Sequence, residues 1–188
     1  MKKAIKRLFK SSIGWAVSVA ANVPIGRYFF ERVINSVTTH TRSIRHQGLE
    51  LTFAAPNTLN GVRIDTFSTK EPETLEWIDR FPQGSVLWDI GANIGLYSCY
   101  AAKAAHCRVF AFEPSVFNLE MLARNVFLNG LTSQVIILPL PLSETLSVNT
   151  FNMSSTDWGG RYRPSARRLD TTVVPFAKSL NTRPSASP

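Results

Sequence analysis

The chain has 188 residues, 44% of them hydrophobic and 18% charged, which is typical of one globular domain with a short appendage and excludes a disordered chain. The net charge of +8 is unevenly placed, because residues 1–47 hold nine Lys or Arg and one acid, whereas residues 48–160 hold six bases and eleven acids. Since the central part lacks a basic face, we expect no nucleic-acid partner.

Charge and composition divide the chain into three predicted parts. These are a basic, helical N-terminal region at 1–47, an α/β domain at 48–160, and a basic, loosely ordered tail rich in Pro, Ser and Arg at 161–188. The apolar stretch from Ile13 to Ala21 is shorter than the roughly 20 residues of a membrane-spanning helix. We expect a helix that lies on the protein or on an anionic membrane surface, and a cytoplasmic location with contact to the membrane periphery as the alternative.

Cysteine and histidine are sparse. Cys99 and Cys107 lie eight positions apart without C-x-x-C spacing, and the three histidines form no ligand cluster. The sequence therefore predicts no metal site and two reduced, buried thiols.

The first predicted elements of the α/β domain are two short strands at 49–55 and 62–67, arranged as a hairpin. A helix over 68–81 follows, with Ser68 and Glu71 at capping-box spacing and Pro72 in the first turn. Its expected buried stripe consists of Leu75, Trp77 and Ile78.

From Ser85 the pattern is β-α-β-α-β, the unit of a doubly wound, Rossmann-like sheet. The first strand reads as the continuous apolar kind that is buried on both faces. Strands are predicted at 85–90, 107–114 and 134–140, and helices follow the first two at 91–105 and 115–130. Beyond Pro141 the pattern weakens to one strand candidate before a turn at TDWGG.

The ends of the first two strands carry the candidate site. Asp89 ends the first strand, and Gly91 and Gly95 let the backbone turn sharply and approach a ligand, although tight packing is an alternative reason for glycine there. Glu113 ends the second strand, where a carboxylate can accept the hydroxyls of a ribose.

The turn favours S-adenosylmethionine over a dinucleotide. A dinucleotide fingerprint needs G-x-G-x-x-G, but Asn93 stands at the second glycine. Asp89 would repel a pyrophosphate, whereas it suits the sulfonium and ammonium groups of S-adenosylmethionine.

Four segments together resemble the class I S-adenosylmethionine-dependent methyltransferases, and more narrowly the FkbM type. They are EPETLEWID (71–79), VLWDIGANIGLYSCYAAK (86–103), FAFEPSVFNLEMLARNVFLNGL (110–131) and PLPLSE (139–144). The resemblance implies O-methylation of a hydroxyl on a sugar or other secondary metabolite. It also implies a cofactor site that consists of Asp89, Gly91, Asn93, Gly95, Glu113, Leu142 and Ser143, with the last two bordering the adenine. Asn118 is similar to a family position too, but capping of its helix explains it equally well.

The resemblance is incomplete towards the C-terminus. The family carries a K-I-D-V-E-G-like strand end that is absent here, so no catalytic base is assigned. A complete sheet of this type has about seven strands, and the sequence supplies three parallel ones. We therefore expect a truncated, cofactor-binding half that is weak or inactive alone, with a sheet edge open to self-association. The alternative from another class is a peripheral membrane protein.

Overall fold

The computed structural model describes residue 12, residues 14–142 and residues 156–160. The expected tail at 161–188, the strand candidate before TDWGG and Ser143 lie outside the described residues. Eleven helices and strands lie within these residues, in addition to the helical residues before Pro24. They are α1 (Pro24–Thr38), β1 (Thr41–His46), β2 (Leu49–Ala54), α2 (Thr58–Asp65), α3 (Phe67–Lys70), α4 (Pro72–Asp79), β3 (Val86–Ile90), α5 (Leu96–Ala104), β4 (Arg108–Phe112), α6 (Val116–Leu128) and β5 (Val135–Leu138).

The N-terminal region is helical, as predicted, over residues 14–21 and in α1. Helix α1 starts with Pro24 in its first turn and contains no buried residue. It ends at Thr38, and strand β1 then occupies 41–46, inside the region that the sequence assigned to helix. No helix in the described part of the chain is both long and apolar enough to cross a membrane.

Strands β1 and β2 form an antiparallel hairpin that pairs Thr41 with Ala54 and His46 with Leu49. The prediction of a strand at 62–67 was wrong, because α2 covers most of that segment. The side chain of Asn57 caps α2 by accepting a hydrogen bond from the N–H of Asn60 at 2.8 Å. The buried side chains of residues 58–67 include Asn60, Ile64 and Phe67, whose helical spacing places one face in the core.

Helix α4 begins at Pro72, as predicted, and buries Leu75 and Ile78. Trp77 is instead 56% exposed and packs edge-on against Phe81, so its place in the buried stripe was wrong. The predicted capping box is also absent, because Ser68 belongs to α3 and Glu71 makes no side-chain cap bond.

Strands β3, β4 and β5 form the predicted parallel sheet in that order. Because both crossovers run in the same direction, the right-handed rule places α5 and α6 on one face of the sheet. The apolar residues beneath these helices form the core, with Leu87, Val109, Ala111 and Val135 buried. The opposite face of β3 carries Val86, Trp88 and Ile90, each at least 60% exposed. The expectation of a strand buried on both faces was therefore wrong for β3 in the described part of the chain.

Two asparagines, Asn125 of α6 and Asn129 at its C-cap, join the hairpin to the sheet domain. Asn129 accepts a bond from the N–H of Thr52 at 3.0 Å and donates to its carbonyl at 2.7 Å. Asn125 accepts from the N–H of Ala54 and donates to the carbonyl of Ile94, both at 2.7 Å. These bonds satisfy the outer edge of β2 and hold the loop after β3 against the hairpin.

Candidate cofactor site

The two glycines of the turn after β3 meet different steric requirements. Gly91 and Gly95 both have left-handed backbone conformations, with φ of 79° and 80°. A Cβ on Gly95 would lie 2.2 Å from Cδ1 of Leu122, whereas a Cβ on Gly91 would meet nothing within 4 Å. Gly95 therefore permits close packing of α6, and Gly91 leaves open space at the mouth of the turn.

Asp89 is partly buried at the end of β3, and its carboxylate accepts a hydrogen bond from the hydroxyl of Ser98. Burial raises the pKa of Asp89, and the charge of Glu113 raises it further, while hydrogen bonds from Ser98 lower it. The ionised carboxylate is thus held where water stabilises it poorly, and a cationic ligand would favour its charged form.

Asp89 opens into a cavity of about 310 Å³ that also reaches Gly91 and Asn93. This volume is at the lower end of the roughly 300–1,000 Å³ range of small-molecule pockets. Helices α2, α3 and α5 and the residues around them supply the remaining wall, which consists of Arg63, Thr66, Phe67, Lys70, Glu71, Leu96 and Tyr97 together with Ala92 and Ile94 of the turn. The wall from α2 was not predicted, because the alternating apolar pattern of 62–67 indicates a strand.

Charges of both signs line this wall. Lys70 and Glu71 form an ion pair at 2.7 Å, which lowers the pKa of Glu71. Burial raises the pKa of Tyr97, and the nearby Glu71 carboxylate raises it further, so the Tyr97 hydroxyl stays protonated at neutral pH. Within the described residues, no group of three His, Cys, Asp or Glu side chains is arranged to hold a metal ion.

Glu113 is only 3% exposed and is absent from the lining of this cavity. Its Oε1 accepts the N–H of Ser115 at 2.8 Å and the amide of Asn118 at 3.3 Å, and its Oε2 accepts the N–H of Asn93 at 2.8 Å. The Glu113 carboxylate therefore contacts the glycine turn through its hydrogen bond with the N–H of Asn93. It does not place the Glu113 carboxylate in the same open space as Asp89.

The side chains of Asn93 and Asn118 make hydrogen bonds that the sequence did not predict. Asn93 has a φ of 52°, and its side-chain oxygen accepts the N–H of Ile94 at 3.0 Å. Asn118 is 1% exposed and lies in the first turn of α6, but the helix N-cap is Ser115. The amide of Asn118 donates to Glu113, so the capping account of Asn118 does not match its contacts.

Residues 156–160, called the strap below, cover this cluster. The strap contains the predicted turn, closed by a bond from the N–H of Gly160 to the carbonyl of Asp157 at 2.9 Å. Its Gly160 carbonyl accepts the amides of Asn93 at 3.2 Å and Asn118 at 3.1 Å. Leu142, by contrast, is 43% exposed and does not line the cavity.

No family model matches the chain. Methyltransferase sdnD of Sordaria araneosa is 38% identical over 69 residues, which is 36% of this chain and 27% of the relative. The match thus spans about a quarter of that relative's length. A SAM-dependent methyltransferase from Agrobacterium tumefaciens covers 53% of this chain and 32% of its own, with a TM-score of 0.41 at 16% identity. The tRNA m1G37 methyltransferase of M. jannaschii covers 57% and 32%, with a TM-score of 0.39 at 19% identity.

The parallel sheet β3-β4-β5 with its two crossover helices has an α/β, Rossmann-like architecture, and a segment of this chain is similar in sequence to a methyltransferase. The comparisons correct one expectation. Excluding nucleic acid as a partner was wrong, because a tRNA methyltransferase is among the solved structures to which this chain is similar. A central domain without a basic face is therefore no ground for ruling out that class of acceptor.

Proposed function

We propose that this chain contributes the cofactor site of an S-adenosylmethionine-dependent methyltransferase of the FkbM type. The observation that carries the proposal is the turn after β3, where a partly buried Asp89 borders a cavity formed by a glycine-containing loop. The parallel sheet places this turn beside the end of β4, where Glu113 lies. Ligands of such sheets bind at the carboxyl ends of the strands.

The residues present fit this cofactor. Asp89, on the cavity wall, is suited to the positively charged methionine part, and Gly91 leaves that side open. Asn93 and Gly95 shape the loop, and Glu113 is the candidate partner of the ribose. Leu142 and Ser143 are proposed to border the adenine. When bound, the cofactor supplies an electrophilic methyl group on a good leaving group, so the chain's main task is to position the acceptor.

The proposed acceptor is a hydroxyl of a sugar or another secondary metabolite. This rests on the resemblance of the sequence to FkbM-type enzymes, and a nucleic acid stays among the acceptor classes. A hydroxyl acceptor benefits from a general base, and none is assigned among the described residues. A chain that binds the cofactor but transfers methyl weakly or not at all is the alternative.

Transfer of a labelled methyl group tests the proposal. The purified chain is incubated with S-adenosylmethionine carrying a radioactive methyl group and, in separate reactions, with polyhydroxylated small molecules or total tRNA. Label in the small molecules supports O-methylation, and label only in tRNA contradicts the proposed acceptor class. Cofactor binding without label in either reaction supports the alternative of an inactive cofactor-binding module.

A second candidate function is attachment to a membrane surface, favoured by α1. Four apolar side chains of this helix are 59–76% exposed, namely Ile25, Tyr28, Phe29 and Ile34, and residues 1–47 are strongly basic. We expect co-sedimentation with vesicles that contain anionic lipid, and loss of it in an Ile25→Ser/Phe29→Ser variant. Equal sedimentation of both proteins would rule this candidate out.

A further inference from the structure

The strap lies on side chains rather than on another backbone segment. Three consecutive carbonyls of the strap point at side-chain donors. Trp158 accepts from the amide of Asn57 at 3.1 Å, and Gly159 accepts from Arg63 at 2.7 and 3.1 Å. Gly160 accepts from both Asn93 and Asn118. These donors belong to α2 and its N-cap, to the turn after β3 and to α6, the elements that surround the candidate site.

The polar groups beneath Gly160 form a subsite of their own. Asn93 and Asn118 present amide N–H donors to one point, and the Glu113 carboxylate lies beside them. Paired amide donors next to a carboxylate acceptor match a hydroxyl group, which both accepts and donates hydrogen bonds. In this structure the carbonyl of Gly160 takes the place that such a hydroxyl oxygen would need.

A second observation concerns Asn60, which lies under the strap. Asn60 is completely buried, and neither its amide nitrogen nor its oxygen has a hydrogen-bond partner among the described protein atoms. A buried amide without partners is unfavourable. With the strap in this position, the Asn60 side chain beneath it therefore makes no hydrogen bond. An arrangement in which the strap moves away or a ligand enters would relieve this cost.

We propose that Asn93, Asn118 and Glu113 form a subsite for a hydroxyl-bearing group, and that the strap occupies this subsite until a ligand displaces it. The proposal rests on the proposed function, in which that group is the ribose of S-adenosylmethionine. The cavity at Asp89 receives the charged end of the ligand, and the ribose reaches Glu113 when the Gly160 carbonyl leaves the two amides. Binding is then weakened by the fraction of molecules in which the strap is closed.

Gly159→Ala tests the proposal by opposing the closed strap. Gly159 has a φ of 82°, and a Cβ there would lie 2.1 Å from Oδ1 of Asn60. We expect this variant to bind S-adenosylmethionine about 3- to 10-fold more tightly than the wild type in calorimetry, because fewer molecules start closed. Gly130→Ala is the matched control, since Gly130 has a φ of 68° but open space around its Cβ position, and its affinity is expected to be unchanged.

Trp158→Ala is a second, independent way to destabilise the closed position of the strap. The indole of Trp158 donates to Glu120 at 3.0 Å and packs against the cluster that contains Ile94 and Met121, so its removal loosens the strap without a new clash. This variant should bind more tightly as well. Hydrogen exchange of residues 156–160 should rise when the cofactor is added to the wild type.

The outcomes separate the two proposals. Wild-type binding with no gain, or a loss, in both strap variants would overturn the strap proposal and leave the cofactor site standing. Unchanged or slower exchange in the strap on cofactor addition would overturn it too. No binding by any of the proteins would contradict the proposed function itself, and the strap proposal would fall with it.

Discussion

Two carboxylates at the candidate site lie in contrasting environments. Glu113 receives three N–H donors from its own chain, which is the arrangement that stabilises a buried carboxylate. Asp89 receives hydrogen bonds from the hydroxyl and the backbone of Ser98, but burial outweighs them, destabilises the ion and raises the pKa of Asp89. Glu113 is therefore built into the fold, whereas Asp89 gains from a ligand of opposite charge.

Asp89→Asn should make the protein more stable at neutral pH. Because the pKa of Asp89 is raised on folding, the native state holds the proton more tightly, and stability falls as pH rises through the range between the unfolded and folded pKa values. Above that range the ionised carboxylate is a constant penalty that asparagine removes, while its oxygen can still accept the Ser98 hydroxyl.

Thermal unfolding as a function of pH measures this effect. The Tm of Asp89→Asn should exceed that of the wild type at pH 7, and the difference should shrink as pH falls through the raised pKa towards the ordinary pKa of an aspartate. Asp65→Asn is the control, since Asp65 is exposed and paired with Arg42, and it should give no such gain. A lower Tm of Asp89→Asn at pH 7 would show that the environment of Asp89 does not disfavour its charge.

The two glycines of the turn should differ in their tolerance of alanine. Both need a left-handed backbone, which costs alanine about 1–2 kcal/mol. Gly95→Ala also forces a Cβ into Leu122, and overpacking of this kind adds about 1–3 kcal/mol. Urea unfolding should therefore find Gly95→Ala less stable than Gly91→Ala by about 1–3 kcal/mol. Equal losses in the two variants would mean that close packing does not explain Gly95.

At the scale of elements, the sequence predicted the β-α-β-α-β unit because each signal there is local. Asn129 and Gly130 end α6 as predicted, and Leu122 and Val126 are buried on its inner face. The prediction failed at 62–67, where Val62 and Ile64 alternate like a strand while the buried face follows helical spacing. Short apolar segments fit both periods, and the Asn57 cap was the signal that could have decided for a helix.

Other features of the site depend on contacts that sequence spacing does not encode. Asn118 bonds the N–H of Gly159, 41 positions away, and the strap covers Glu113 as a result. The site residues Asp89, Gly91, Asn93 and Gly95 lie within one seven-residue stretch of the chain, so their proximity was predictable. The wall supplied by α2 and α3 was not, because it follows from how the hairpin and α6 pack.

Substitution of Asn125 tests how the hairpin is held against α6 and the turn after β3. Its amide is the buried partner of the Ala54 N–H and the Ile94 carbonyl. Asn125→Ala leaves both backbone groups unsatisfied, which should cost about 2–4 kcal/mol in the free energy of unfolding. Asn35→Ala, an exposed position on α1, should change it by less than about 0.5 kcal/mol. A loss below about 1 kcal/mol for Asn125→Ala would show that other contacts hold the hairpin in place.

At the scale of the whole molecule, the described sheet has one covered face and one open face. Parallel sheets normally carry helices on both faces, and β3 lies at an edge of the described sheet. Val86, Trp88 and Ile90 form an apolar row on the open face. An exposed row of this kind on an edge strand favours association between molecules.

Trp88→Lys should reduce this association. Light scattering at increasing protein concentration should rise less steeply for the variant than for the wild type, because a charge interrupts the apolar row. Trp77→Lys is the matched control: Trp77 is similarly exposed but lies on α4 and packs against Phe81. Equal effects of the two substitutions would show that general surface hydrophobicity, rather than the sheet face, drives association.

Calorimetric titration with S-adenosylmethionine is the most direct measurement of the central claim. The wild type should bind with a dissociation constant of roughly 1 μM to 1 mM, and Asp89→Ala should weaken binding about tenfold or more, since it removes the carboxylate that faces the ligand's positive charge. Asp65→Ala, which removes an exposed carboxylate outside the cavity, should bind as the wild type does. Equal binding by all three proteins, or no binding by any, would contradict the assignment of this turn as the cofactor site.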